Sequence, residues 1–129
     1  MMVSITGFKP FFTQRRIFLN IQADYHVHTS FSGDCNIAPR IMIERALSLG
    51  LTHLCLTDHM DYDVNQTDKF VVDYKKYLHK LELMQKKYED KIIIKKGIEL
   101  GLQPHLIEKY NDDMKNHNFD FILCSQHAI

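Results

Sequence analysis

Apolar positions along the chain follow two patterns that alternate. Short runs dense in Ile, Leu, Val and Phe are separated by longer stretches in which apolar residues recur every three or four positions. The first run, Ile17 to His28, predicts a strand. Pro39 to Leu49 predicts a helix: proline suits a first turn, and Gly50 suits the position just past the end. "THLCLT", Thr52 to Thr57, predicts a second strand, and the Asp- and Asn-rich "DHMDYDVNQTDK" after it predicts a loop. A long helix is expected from about Phe70 to Tyr88. Phe70, Tyr74, Tyr77, Leu78, Leu81, Met84 and Tyr88 form its apolar stripe, with Lys75, Lys76 and Lys86 in solvent. A third strand at Lys91 to Ile98, a shorter helix near Pro104 to Asn116 and a fourth strand at Phe119 to Cys124 complete the pattern.

The order βαβαβαβ argues for an α/β fold with parallel strands covered by helices. Strands buried on both faces read as continuous apolar runs, which suits "IIIKKGI" better than strict alternation does. Residues 1–20 have no clear period and are set apart as a leader of unassigned role. "TQRRIFLN" has the twin arginines of an export signal, but the polar "IQADYHVH" follows where an apolar segment is required. Residues 21–129 form the domain.

The polar residues at the strand ends carry the chemistry. In parallel α/β folds the C-terminal ends of the strands gather at one face, where active sites form. The first strand ends in His26 and His28, the second in Asp58 and His59, the third runs into Glu99, and the fourth stops just before His127. Residues i and i+2 on a strand share a side, so His26 and His28 can grip one cation, with Asp24 on the same face. Imidazole and carboxylate donors suit zinc, iron or manganese. Asp34, in the Gly-containing turn "SFSGD", is placed to fold back to the rim, and Glu99 has two oxygens with which to bridge two cations. Asp58 is expected to orient a ligand imidazole from behind. His53, His79, His105 and His117 read as structural, although His105 follows Pro104 close to the rim. Cys55 reads as core, and Cys124 as a further candidate donor at a strand end.

Bulk composition narrows the partners. Lys plus Arg and Asp plus Glu each number 16, so net charge is zero and offers no electrostatic case for a nucleic-acid partner. No apolar run approaches the roughly 20 residues needed to span a bilayer. The three cysteines follow no paired spacing, which makes a reducing cytoplasm the expected setting.

Four motifs, "DYHVHTSFSGD", "LTDHMDY", "GIELGLQPH" and "FDFILCSQH", resemble those of the PHP (polymerase and histidinol phosphatase) superfamily, and most closely its monofunctional histidinol-phosphatase branch. The resemblance runs from about Ala23 to the last residue. It implies the N-terminal part of a distorted (β/α)7 barrel, not closed in this chain, and a trinuclear metal cluster at the C-terminal rim in the complete protein. By motif, His26, His28, Asp34, His59, Glu99 and His127 match metal ligands, with Glu99 the bridging carboxylate. The implied reaction is metal-dependent hydrolysis of L-histidinol phosphate, a step of histidine biosynthesis. Further family ligands, a histidine and an Asp-x-His pair, have no counterpart here. Position 124 is Cys where the family commonly has Gly.

The chain is therefore expected to be an incomplete phosphatase, inactive alone, whose last strand leaves an open apolar edge inviting self-association. Two other readings compete. One is a different metal phosphoesterase, of PHP or TatD-like deoxyribonuclease type. The other is a non-catalytic fragment that binds metal or a partner.

Overall fold

The structure, a computed structural model, describes residues 22–64 and 68–126. Among these residues, five strands and three α-helices follow in the order β1 (Ala23–Val27), α1 (Pro39–Ser48), β2 (His53–Leu56), β3 (His59–Met60), α2 (Tyr74–Tyr88), β4 (Ile93–Gly101), α3 (Ile107–Asn116) and β5 (Phe121–Ser125). Every ladder between these strands is parallel. β4 is the central strand. β2 pairs with its first half and β3 with its second, along one edge, while β5 runs along the other and β1 lies outside β2. The expected parallel sheet with helical crossovers is present, curled as part of a barrel.

The core lies between the sheet and the helices. Leu54, Leu56, Ile94 and Ile98 from the strands meet Ile43 and Ala46 of α1 and Tyr77, Leu81, Met84 and Tyr88 of α2. The α2 contributors are spaced by three or four residues, the period of one helical face. Lys75, Lys76 and Lys86 are exposed, Leu81 is buried, and Tyr74 and Leu78 are half-buried.

Several boundaries differ from the sequence reading. α1 stops as expected: Gly50 has φ +79°, its N–H donates to Leu47 O, and Leu51 N donates to Ala46 O, which satisfies the last carbonyls. α2 begins at Tyr74, not near Phe70, because the Asp73 side chain accepts from Lys76 N and caps the first turn. Phe70 closes a short 3-10 turn and stacks edge-on against the His59 ring. The segment expected as loop contains β3, whose polar sequence hid it. It is held by the ladder to Glu99 and Leu100 and by an antiparallel bridge from Met60 to Val71. A 3-10 turn at Pro104–Leu106 precedes α3, and β4 extends through Glu99 to Gly101. Of the expected first strand, only Ala23–Val27 is strand within the described residues. Residues 1–20, read as a leader, lie outside them.

Two buried phenols secure the line where β2 gives way to β3. Tyr77 Oη lies 3.0 Å from both Leu56 O and Gly97 O and accepts from Asp58 N at 3.2 Å. Tyr110 Oη repeats the pattern four residues on: Met60 O and Gly101 O at 3.0 Å, and Tyr62 N at 3.3 Å. Each hydroxyl serves backbone groups of both strands where the β2/β3 edge meets β4. Gly97 allows the close approach there, since a Cβ on it would meet Cys55 Sγ at 2.5 Å and Leu56 O at 2.8 Å.

Candidate metal centre

The C-terminal ends of β1, β3 and β4 bring histidines and carboxylates into one cluster. His26 and His28 have ring centroids 5.0 Å apart, as the strand period requires. Asp24 does not join them; its carboxylate turns back to accept from His26 N. Glu99, on β4, is buried, and its Oε2 is 3.1 Å from His26 Nε2, 2.8 Å from His28 Nε2 and 3.6 Å from His59 Nδ1. Its other oxygen accepts from the Ser125 hydroxyl on β5. Asp34 folds back from its turn as expected, with Oδ2 2.8 Å from His28 Nδ1 and 3.3 Å from His59 Nε2.

Two donor groups result, each with its donor atoms within 4.8 Å of one another: His26, His28 and Glu99, and His28, Asp34 and His59. Both nitrogens of His28 and both of His59 face carboxylate oxygens. A neutral imidazole carries one N–H, so each ring either turns a lone pair on an oxygen or carries charge. The two rings are only 4.3 Å apart, so charging both is costly. A divalent cation among these atoms removes the conflict, and the nitrogen and oxygen donors suit zinc, iron or manganese. The residues present therefore fit a metal centre.

The electrostatics follow from the same contacts. Burial alone would raise the Glu99 pKa, but the Ser125 hydroxyl, the His26 hydrogen bond and the nearby His59 and His26 charges outweigh it and hold it at about 2. Burial would lower His59, yet the hydrogen bond and charge of Asp61, with Glu99 and Asp34 behind them, raise it above its ordinary 6.5. Asp34 has a lowered pKa because the hydrogen bond from His28 and the charges of His28 and His59 overcome its partial burial.

Asp58 does not orient an imidazole. It is fully buried, and its carboxylate accepts from Thr29 N at 2.6 Å, Thr29 Oγ1 at 2.8 Å and Ser32 Oγ at 2.9 Å. Its work is to pin the turn that carries Asp34, and Ser32 Oγ in turn accepts from His59 N. The carboxylate behind His59 is Asp61, 3.3 Å from Nδ1, which the sequence reading missed. It also gave Ser125 no role. The signal for Asp61 was available in "TDHMD", where two carboxylates flank the histidine. His127 lies outside the described residues. Cys124 is exposed on β5 and belongs to neither donor group. The Cys55 thiol is buried and pushed up to about 12 by that burial, so it remains a protonated core residue. His105 pairs with the Asp63 carboxylate at 3.1 Å, away from the donor groups.

The model of the PHP domain matches residues 24–129. This chain belongs to the PHP domain family. Among curated relatives, the histidinol-phosphatase of Lactococcus lactis is 33% identical over 106 residues, covering 82% of this chain and 39% of the relative. A probable histidinol-phosphatase of Deinococcus radiodurans is 26% identical over 110 residues, covering 82% of this chain and 42% of the relative. The PHP chain thus spans about two fifths of the length of these curated relatives. A crystal structure of the Lactococcus lactis histidinol phosphate phosphatase, complexed with zinc, L-histidinol and phosphate, superposes with a TM-score of 0.79 at 31% identity. The match covers 84% of this chain and 41% of that one. The match also displaces the TatD-like alternative.

Proposed function

We propose that this PHP chain forms part of a metal-dependent phosphomonoesterase that hydrolyses L-histidinol phosphate to L-histidinol and phosphate, in the cytoplasm, as a step of histidine biosynthesis. The single observation that carries the reading is the meeting of His26, His28, Asp34, His59 and Glu99 at one end of the parallel sheet. The ligands of the Lactococcus lactis neighbour support the choice of metal and of substrate class.

In this reading the five residues, with His127, hold divalent cations. When bound, such cations neutralise phosphate oxygens and lower the pKa of water. Ser125 fixes Glu99 with one oxygen turned to the three imidazoles. Asp58 fixes the turn that delivers Asp34. Both groups are thereby preorganised, which is where most of the rate advantage of a phosphoryl-transfer site originates. Water adds to phosphorus, the bond from phosphorus to the histidinol oxygen breaks, that oxygen takes up a proton given up by the water, and no serine or cysteine nucleophile is needed.

Because the chain spans two fifths of its relatives, the isolated 129 residues are expected to turn over far more slowly than a full-length relative. Displacement of a reacting group by ~1 Å costs about 100-fold. The test joins this chain to the C-terminal remainder of the Lactococcus lactis relative and measures phosphate release with manganese or zinc. Turnover on L-histidinol phosphate, abolished by Glu99→Ala, is expected. A folded, metal-loaded chimera that hydrolyses other phosphomonoesters but not this one sinks the substrate assignment.

We also propose that β5 supports self-association. Among the described residues it pairs only with β4, and Ile122, Leu102 and Ile107 are 42%, 40% and 49% exposed on or beside it. Size-exclusion chromatography of the chain over a concentration series tests this. A monomer at every concentration contradicts it.

A further inference from the structure

We propose that Asp61 is the positioning residue that fixes the His59 imidazole for metal binding. The inference rests on the metal-centre reading and assigns a role to a carboxylate that lies outside both donor groups.

The geometry is specific. Asp61 follows His59 by two residues at the end of β3, and its residue surface is 3% exposed. Its Oδ2 lies 3.3 Å from His59 Nδ1. The opposite ring nitrogen, Nε2, lies 3.3 Å from Asp34 Oδ2, and His28, Asp34 and His59 form one donor group. Each ring nitrogen faces a carboxylate at 3.3 Å, and the buried one, Asp61, sits where it interacts more strongly than the half-exposed Asp34, which favours the tautomer with the proton on Nδ1 and leaves the Nε2 lone pair for a cation. Glu99 Oε2 is the only other carboxylate oxygen with a described contact to Nδ1, and at 3.6 Å it is the more distant one.

Asp61 is itself held. Its N–H donates to Phe70 O at 2.7 Å, and the Phe70 ring meets the His59 ring edge-on with centroids 5.4 Å apart. The His59 ring thus has the buried Asp61 carboxylate beside Nδ1 and the Phe70 ring edge-on against it. Neither contact touches the donor atoms. The acceptor at Nδ1 also makes the ring a stronger donor at Nε2, because negative charge behind an imidazole raises its basicity.

Two measurements on the 129-residue chain test this. The first is the His59 tautomer by nitrogen-15 NMR on the metal-free protein, at a pH above the raised His59 range. The proton is expected on Nδ1 in wild type, with Asp61→Leu shifting the population toward Nε2. A wild-type His59 protonated on Nε2 overturns the assignment even if the variant fails to fold. The second is zinc affinity by calorimetric titration. Asp61→Leu is expected to weaken zinc binding 10- to 100-fold, while Asp61→Asn, which keeps an acceptor oxygen, recovers most of the loss. Folded Asp61→Leu binding zinc as tightly as wild type overturns the proposal. Wild type that binds no zinc at all refutes the metal-centre reading instead, and the tautomer measurement still decides the role of Asp61.

Discussion

Removing one oxygen atom from Tyr77 should weaken the whole β2–β4 seam. The Tyr77 side chain is fully buried, and its hydroxyl is the described partner of Asp58 N and lies at hydrogen-bond distance from Leu56 O and Gly97 O. The hydroxyl has one proton, so it serves one carbonyl fully at any instant and accepts from the amide with a lone pair. Tyr77→Phe keeps the ring and leaves one amide and at least one carbonyl without that partner. Each buried polar group so stranded costs about 1–3 kcal/mol, and the pair roughly 2–6 kcal/mol. With a urea slope of about 2 kcal/mol/M, the unfolding midpoint should fall by about 1–3 M. Tyr88→Phe is the control, since its hydroxyl donates to the half-exposed Glu44 carboxylate at 3.2 Å and its loss should leave the midpoint near wild type. Equal midpoints for the two variants would refute the claim that the phenol secures the strand junction.

Other perturbations probe neighbouring parts. Gly97→Ala places a methyl 2.5 Å from Cys55 Sγ and 2.8 Å from Leu56 O, and the backbone oxygen cannot yield easily. A loss of about 1–3 kcal/mol in urea unfolding is expected. Asp58→Ala strands Thr29 N and the Ser32 hydroxyl and should cost about 2–4 kcal/mol while releasing the Asp34 turn, which faster amide exchange over residues 29–34 would report. For the metal-free chain, Glu99 has a folded pKa of about 2 against an ordinary 4.5, so its contribution is complete above 4.5 and is lost as pH falls toward 2. His59 is raised, so its contribution is complete below 6.5 and disappears as pH rises through its folded value. Urea midpoints in a chelating buffer should therefore peak between these limits, and Glu99→Gln should flatten the acid arm.

The sheet and the rim were legible in the sequence for a common reason. Apolar runs such as "IIIKKGI" and the stripe Tyr77, Leu81, Met84 and Tyr88 report burial directly, and burial defines the elements. His26, His28, His59 and Glu99 stood out by falling at or just past strand ends, and the structure brings them together there, whereas His127 lies outside the described residues. What the pattern hid depends on pairing rather than burial. β3 is two residues long and carries a histidine, so no periodicity marks it, and only its ladder to Glu99 and Leu100 makes it a strand. The same blindness exchanged Asp58 for Asp61. Both flank His59, and only the contacts of each side chain show that Asp58 meets the Asp34 turn while Asp61 lies beside the imidazole. Phe70 matched the helical stripe in spacing, but the Asp73 cap placed it outside the helix and against His59.

The central claim is that the rim of this sheet holds divalent cations through Glu99 and the histidines around it. The most direct measurement is the metal content of the purified 129-residue chain after exposure to zinc or manganese and exhaustive dialysis, beside Glu99→Ala and His28→Ala prepared identically. His28 belongs to both donor groups and Glu99 faces three imidazoles, so either substitution should strip most of the metal while circular dichroism stays near wild type. A folded wild-type chain that retains no metal, or folded variants that retain as much as wild type, would contradict the account.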